Sequence, residues 1–129
     1  VISEACPMWV PLVENGEHNS EGADYFVEKN IVQLLEKDKK IDTIVLACTH
    51  YPLLLNKIRK YVPSHIQIIS QGSIVAKSLQ EYLKNHHQMD ERCTKNKTCT
   101  FYTTESEEKF EYSASIFLQH QVAVKRISL

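Results

Sequence analysis

Cys48-Thr49-His50 is the run of neighbouring side chains best equipped for chemistry in this sequence. A thiol can exchange a proton with a carbon acid or attack a carbonyl, and an imidazole can trade a proton with that thiol. The apolar run Ile44-Val45-Leu46-Ala47 leads into the triplet and Tyr51-Pro52 follows it, so the three residues fall where a buried strand gives way to a helix. At such a place free backbone N–H groups and the positive end of the helix dipole favour a thiolate or a bound carboxylate, which the Thr49 hydroxyl would help to hold. By residue type alone, a cysteine closing a buried strand also reads as core filler. A second candidate, Glu14, closes the segment Ala5-Cys6-Pro7-Met8-Trp9-Val10-Pro11-Leu12-Val13-Glu14, in which Pro7 is expected to open a short helix that Pro11 limits. Glu14 is then either an acid near the cleft or a solvated carboxylate at a helix end.

The elements that must position these residues follow from hydrophobic spacing. Ala23, Phe26, Val27, Ile31, Leu34 and Leu35 recur at helical intervals between Ser20 and Asp38. Residues 41–48 read as a strand buried on both faces, the form that parallel sheets favour. Leu54, Leu55, Ile58, Tyr61 and Val62 then keep the helical period until Pro63 ends it. Ile66, Ile68 and Ile69 mark a second strand over 65–70, and Gly72 opens a helix carrying Ile74, Val75, Leu79, Tyr82 and Leu83. Residues 85–98 are polar, without periodicity, and read as a loop. A short strand over 99–103, a capping box Thr104-x-x-Glu107 ahead of Phe110, Ala114, Phe117 and Leu118, and a last strand marked by Val122, Val124 and Ile127 complete the chain. The order from residue 41 onward is βαβαβαβ, which predicts an α/β fold, a mostly parallel sheet flanked by helices. Ligands in such sheets bind at the carboxyl ends of the strands, where Cys48 falls.

Charge and composition narrow the function. Fifteen Lys and Arg against sixteen Asp and Glu leave a formal charge of -1, without the basic footprint of a nucleic-acid or anionic-membrane binder. Apolar runs are far too short to span a bilayer and no leader pattern opens the chain, so a cytoplasmic location and a small or neutral partner are expected. Cys6, Cys48, Cys93 and Cys99 do not suggest a disulfide framework in that setting. Cys93 and Cys99, preceded by His86 and His87, miss the close pair spacing of zinc sites, so no metal is expected. The chain opens on Val1, within an apolar stretch and without Met, and is expected to be part of something longer.

Three blocks together resemble the cofactor-independent aspartate/glutamate racemase family. They are Ala5-Cys6-Pro7-Met8-Trp9-Val10-Pro11-Leu12-Val13-Glu14, Leu46-Ala47-Cys48-Thr49-His50-Tyr51-Pro52-Leu53, and Phe101-Tyr102-Thr103-Thr104. The resemblance runs the length of the chain but covers only the second half of such an enzyme. It implies interconversion of L- and D-glutamate, without a cofactor, for peptidoglycan synthesis. In the family one thiol removes the α-proton from one face and another returns it on the opposite face. Carried onto this sequence, Cys48 is one of those two thiols, Thr49 and His50 contact the substrate, His50 also assists proton transfer, and Glu14 is an auxiliary acid beside it. The opposing cysteine lies in an Asn-Thr-containing motif of the first half that this chain does not carry, and Cys6 matches a different block. The family fold has two α/β lobes with the site between them. On that map residues 1–70 are a second-lobe segment and residues 71–129 return to complete the first lobe. The expected partners are L- and D-glutamate, the missing N-terminal half, and in many family members a second copy in a homodimer. Other readings of the same residues are a racemase for aspartate or another amino acid, a Cys-His hydrolase, and an inactive fragment acting as a binding module.

Overall fold

The computed structural model describes residues 1–128. The chain divides into two compact units, Val1–Tyr82 and Leu83–Leu129.

In the first unit, helix α1 (Trp9–Glu14) is followed by a 3-10 turn at Glu17–Asn19, helix α2 (Glu21–Lys37) and strand β1 (Thr43–Leu46). A 3-10 turn at Tyr51–Leu54 leads into α3 (Leu55–Tyr61), then β2 (Gln67–Ser70), and α4 (Gln71–Asn85) begins there and runs on into the second unit. Ser20 starts α2 by accepting a hydrogen bond from the Ala23 amide at 3.2 Å, which satisfies one of the orphan donors of the first turn. Trp9, Val13, Ala23, Val27, Ile31, Ile44, Leu46, Leu54 and Ile58 interlock as one apolar core between α1, α2, α3 and the inner face of β1. Each Val, Leu or Ile among them contributes about 1.5–3 kcal/mol when fully buried. β1 and β2 pair in parallel, Ile44 opposite Ile68 and Leu46 opposite Ser70.

Polar contacts tie the periphery to this core. The buried Asn30 side chain donates to Glu4 Oε1 and to the Ala5 carbonyl, both at 3.2 Å, and Lys37 pairs with Glu4 at 2.6 Å, so the N-terminal segment is strapped to α2. Asp24 joins α2 to α3: it accepts from Lys57, from Lys60 at 3.0 Å and from the Tyr61 hydroxyl at 3.3 Å. The Lys57 hydrogen bond, then that of Lys60, holds the Asp24 carboxyl below its usual 3.8. A carboxylate lowered in the folded state stabilises the fold above its unfolded value, and that contribution disappears as pH falls through the folded value. Asp24→Asn is therefore expected to lower the melting temperature at pH 7 and to flatten its fall below about pH 4. Thermal melts of both proteins between pH 7 and pH 2 would show it, and parallel acid limbs would refute the clamp.

The second unit contains α5 (His87–Glu91), β3 (Phe101–Thr103), α6 (Glu107–Leu118) and β4 (Val124–Arg126). β3 and β4 pair in parallel, Phe101 opposite Val124 and Thr103 opposite Arg126. Two glutamates of α6 secure β4, since Glu111 accepts from the Val124 amide at 3.1 Å and Glu107 from the Arg126 amide at 2.6 Å.

The α/β class and the parallel pairing match the sequence-based expectation, with differences that have physical causes. The strands form two two-stranded sheets rather than one. β1 buries Ile44 and Leu46 only, while Val45 on its other face is 54% exposed, because nothing among the described residues covers that face. Pro11 does not limit α1: it sits in the first turn, where its missing N–H costs nothing, and the helix runs on to Glu14. The polar stretch after Asn85 holds one short helix, too short to show a period. The cap of α6 is Ser106, accepting from Lys109 at 3.4 Å, rather than Thr104, because the helix starts at Glu107, which is then too early to be the third helical residue of a capping box.

Candidate active site

The strand-to-helix connection after β1 brings the expected residues together. β1 ends at Leu46, and the Tyr51 amide donates to the Cys48 carbonyl at 3.3 Å, closing a tight turn over Thr49 and His50. The Leu53 amide donates to the His50 carbonyl at 3.1 Å and starts the 3-10 turn, in which Pro52 is accommodated because the first amides have no helical partner. The helix proper begins only at Leu55, later than the sequence suggested. Cys48 and His50 are half-buried and Thr49 is exposed.

Glu14 arrives from α1. That helix ends because Asn15 folds back, its side chain donating to the Pro11 carbonyl at 2.7 Å, and Gly16 takes a left-handed conformation with φ 74° that turns the chain away. Val13, 1% exposed, anchors the last turn in the core, so its neighbour Glu14 projects at the surface. There Glu14 Oε1 lies 3.2 Å from His50 Nε2. The other ring nitrogen, Nδ1, is 3.7 Å from Cys48 Sγ and 3.4 Å from Thr49 Oγ1.

This geometry sets the tautomer. An ionised carboxylate only accepts, so Nε2 of His50 carries the proton it donates to Glu14. In the neutral ring Nδ1 is then an acceptor facing the Cys48 thiol, and once protonated it is a donor to the Cys48 thiolate. A carboxylate, an imidazole and a thiol thus form one path along which a proton can be held or moved at sulfur, with the acid orienting the ring as in other acid–imidazole–nucleophile arrangements. All four residues singled out in the sequence meet at one place on the first unit.

Tyr51 is a neighbour that sequence reasoning missed. Burial, then the nearby Cys6 and Cys48 thiols, push its phenol up to about 12, so it stays a neutral hydroxyl at neutral pH. Cys6 itself is pushed up to about 11, chiefly by burial and next by Glu4. It is therefore a neutral thiol at neutral pH and poorly suited to act as a second base. No periodicity links an isolated aromatic to a partner far away in sequence, so nothing in the sequence marked this contact.

Beside β1 lies a groove of about 580 Å³ whose lining includes Ile2, Cys6, Trp9, Ile31, Leu34 and Val45. It reaches Ala47 and Tyr51, on either side of the Cys48 turn, without including Cys48 or His50. Among the described residues no three His, Cys, Asp or Glu side chains gather as a metal site, and no helix is long and apolar enough to cross a membrane.

No protein-family model matches the chain. It is 36% identical to glutamate racemase of Lactiplantibacillus plantarum over 118 residues, which are 92% of this chain and 42% of that protein. It is 33% identical to glutamate racemase of Streptococcus equi over 129 residues, all of this chain and 48% of that one. Among solved structures it is similar to glutamate racemase isoform RacE1 of Bacillus anthracis, with a TM-score of 0.81 and 32% identity over 98% of this chain and 46% of the other. It is also similar to glutamate racemase of Francisella tularensis in complex with D-glutamate, with a TM-score of 0.83 and 26% identity over 99% and 47%. The chain thus spans a little under half the length of the proteins it matches.

Proposed function

Because this chain is homologous along its whole length to glutamate racemases, we propose that it supplies one of the two proton-transfer faces of such an enzyme, with Cys48 as the thiol of that face. The observation that carries the reading is the continuous Glu14–His50–Cys48 arrangement, built by two separate elements. Inverting an α-carbon without a cofactor needs a base on one side and an acid on the other. The Cys48 thiolate takes the Cα proton and becomes a thiol, the electron pair stays on the carbon acid, and a thiol of the complementary half delivers a proton to the opposite face. In the reverse direction Cys48 donates. His50 holds the sulfur's proton balance, Glu14 keeps the ring in register, and Thr49, exposed beside the sulfur, contacts the substrate with His50. Glutamate as substrate is supported by the D-glutamate complex of the Francisella relative. The product D-glutamate would serve peptidoglycan synthesis in the cytoplasm, in a homodimer as the family resemblance suggests.

The partner of this chain in the reaction is the complementary half of the enzyme, which we place before it, making this the C-terminal half. Residues 1–70 would then lie in one lobe and residues 71–129 would return to the other. The unfinished surfaces support this. β1 has no strand on its second edge among the described residues, its outer face is open at Val45, and α4 buries none of its residues, leaving Ile74, Val75 and Leu79 exposed. Parallel sheets are ordinarily covered on both faces, and an open apolar edge is a pairing site.

Substrate choice is tested by joining the unmatched part of a relative ahead of Val1 and following solvent deuterium into Cα of glutamate, aspartate and alanine. Glutamate is expected to exchange fastest, and faster exchange of aspartate would make the chain part of an aspartate racemase instead.

A further inference from the structure

We infer that Tyr51 is a positioning residue for the Cys48–His50 pair, clamping the turn that carries them against the helix that carries Glu14. This rests on the site reading above but concerns a residue that has no role in it. Two contacts converge on Tyr51. Its amide closes the turn onto the Cys48 carbonyl at 3.3 Å. Its ring stands edge-on to Trp9, with centroids 4.8 Å apart and planes at 65°, a favoured aromatic geometry.

Trp9 makes a rigid wall for this clamp. It is 2% exposed, and its indole Nε1–H donates to the Phe26 carbonyl on α2 at 3.3 Å, so the ring is fixed to the longest helix of the unit. Trp9 is also the first residue of α1, and Glu14 is the last. One end of α1 therefore meets Tyr51 while its other end meets His50, the residue just before Tyr51. The hydrogen bond between the half-buried His50 and the exposed Glu14, at 3.2 Å, joins α1 to the turn and so depends on how α1 is seated against it. Loosening the aromatic contact lets the acid and the imidazole separate, and the His50 tautomer then loses the carboxylate that selects it.

The test needs no turnover and uses the whole chain. Nitrogen-15 spectra of the histidine rings, with His50 assigned by its absence in His50→Gln, report the tautomer. Iodoacetamide labelling followed by peptide mapping reports the Cys48 rate relative to the exposed thiols Cys93 and Cys99. The unmodified chain is expected to hold His50 as the Nε2–H form. Tyr51→Leu is expected to give a mixed tautomer and to change the Cys48 labelling ratio by roughly threefold to tenfold, the size of coupling usual between contacting residues. Tyr51→Phe keeps the ring and is expected to restore both readouts, which a general loss of stability would not do. If Tyr51→Leu does not fold, Trp9→Phe decides, because it removes the bond to Phe26 while leaving an aromatic ring, and the same direction of change is expected. A folded Tyr51→Leu, or failing that a folded Trp9→Phe, with unchanged tautomer and labelling ratio would overturn the inference. Glu14→Ala separates the two levels. If it shifts the tautomer and the Tyr51 variant does not, the positioning role falls alone; if neither shifts it, the Glu14–His50 contact of the site falls too.

Discussion

Cys48→Ala, placed in the chain joined to the complementary half of a relative, is expected to lower racemisation of glutamate by a factor on the order of 10³ in both directions. The size follows from what is removed. The proposed proton acceptor is the sulfur, and His50 Nδ1 at 3.7 Å from it and Glu14 Oε1 at 3.2 Å from His50 Nε2 act through it rather than in its place. Both directions are expected to suffer, because in the proposed mechanism the same atom is the base in one and the acid in the other. Cys48→Ser keeps the shape but holds its proton far more tightly than a thiol, so it is expected to be nearly as inactive. Polarimetry on L- and D-glutamate would check both variants, and a variant retaining a tenth of the parent rate would remove Cys48 from the chemistry.

The chain by itself is expected to show no measurable racemisation, and turnover is expected to appear when the complementary half is supplied, fused or as a separate polypeptide. Two physical requirements are missing in isolation. One is chemical: inversion needs a proton donor on each face, and Cys6, the other half-buried thiol of the first unit, is held neutral by burial. The other is electrostatic: a carbanion is stabilised by preorganised donors in a site closed to water, whereas Thr49 is exposed and Glu14 is 58% exposed. A polarimetric trace from the purified chain at the rate of the fused protein would contradict this.

Much of this was legible in the sequence, and the reason differs from residue to residue. The helix over Glu21–Lys37 and the turn after β1 were readable because burial of one face repeats at a helical period and because proline and a buried apolar run punctuate the chain. That Glu14, Cys48, Thr49 and His50 meet was suggested by the family resemblance, since the spacing of residues says nothing about contacts between α1 and a turn after β1. The both-face burial assigned to residues 41–48 failed at Val45 because apolar composition records what a strand is suited to contact, and not whether this chain contains the contact. The cap of α6 is Ser106 rather than Thr104 because the helix starts at Glu107, and a Thr-x-x-Glu pattern alone does not fix where the first turn begins. The Trp9–Tyr51 contact left no local trace at all.

Hydrogen exchange at Cα tests most directly whether Cys48 serves one face of a two-base reaction. The fused protein carrying Cys48→Ala is incubated in deuterium oxide with L-glutamate and, separately, with D-glutamate. With one thiol remaining, deuterium is expected to enter only one of the two enantiomers, with its configuration retained. Equal exchange of both enantiomers, or inversion at the parent rate, would contradict the assignment.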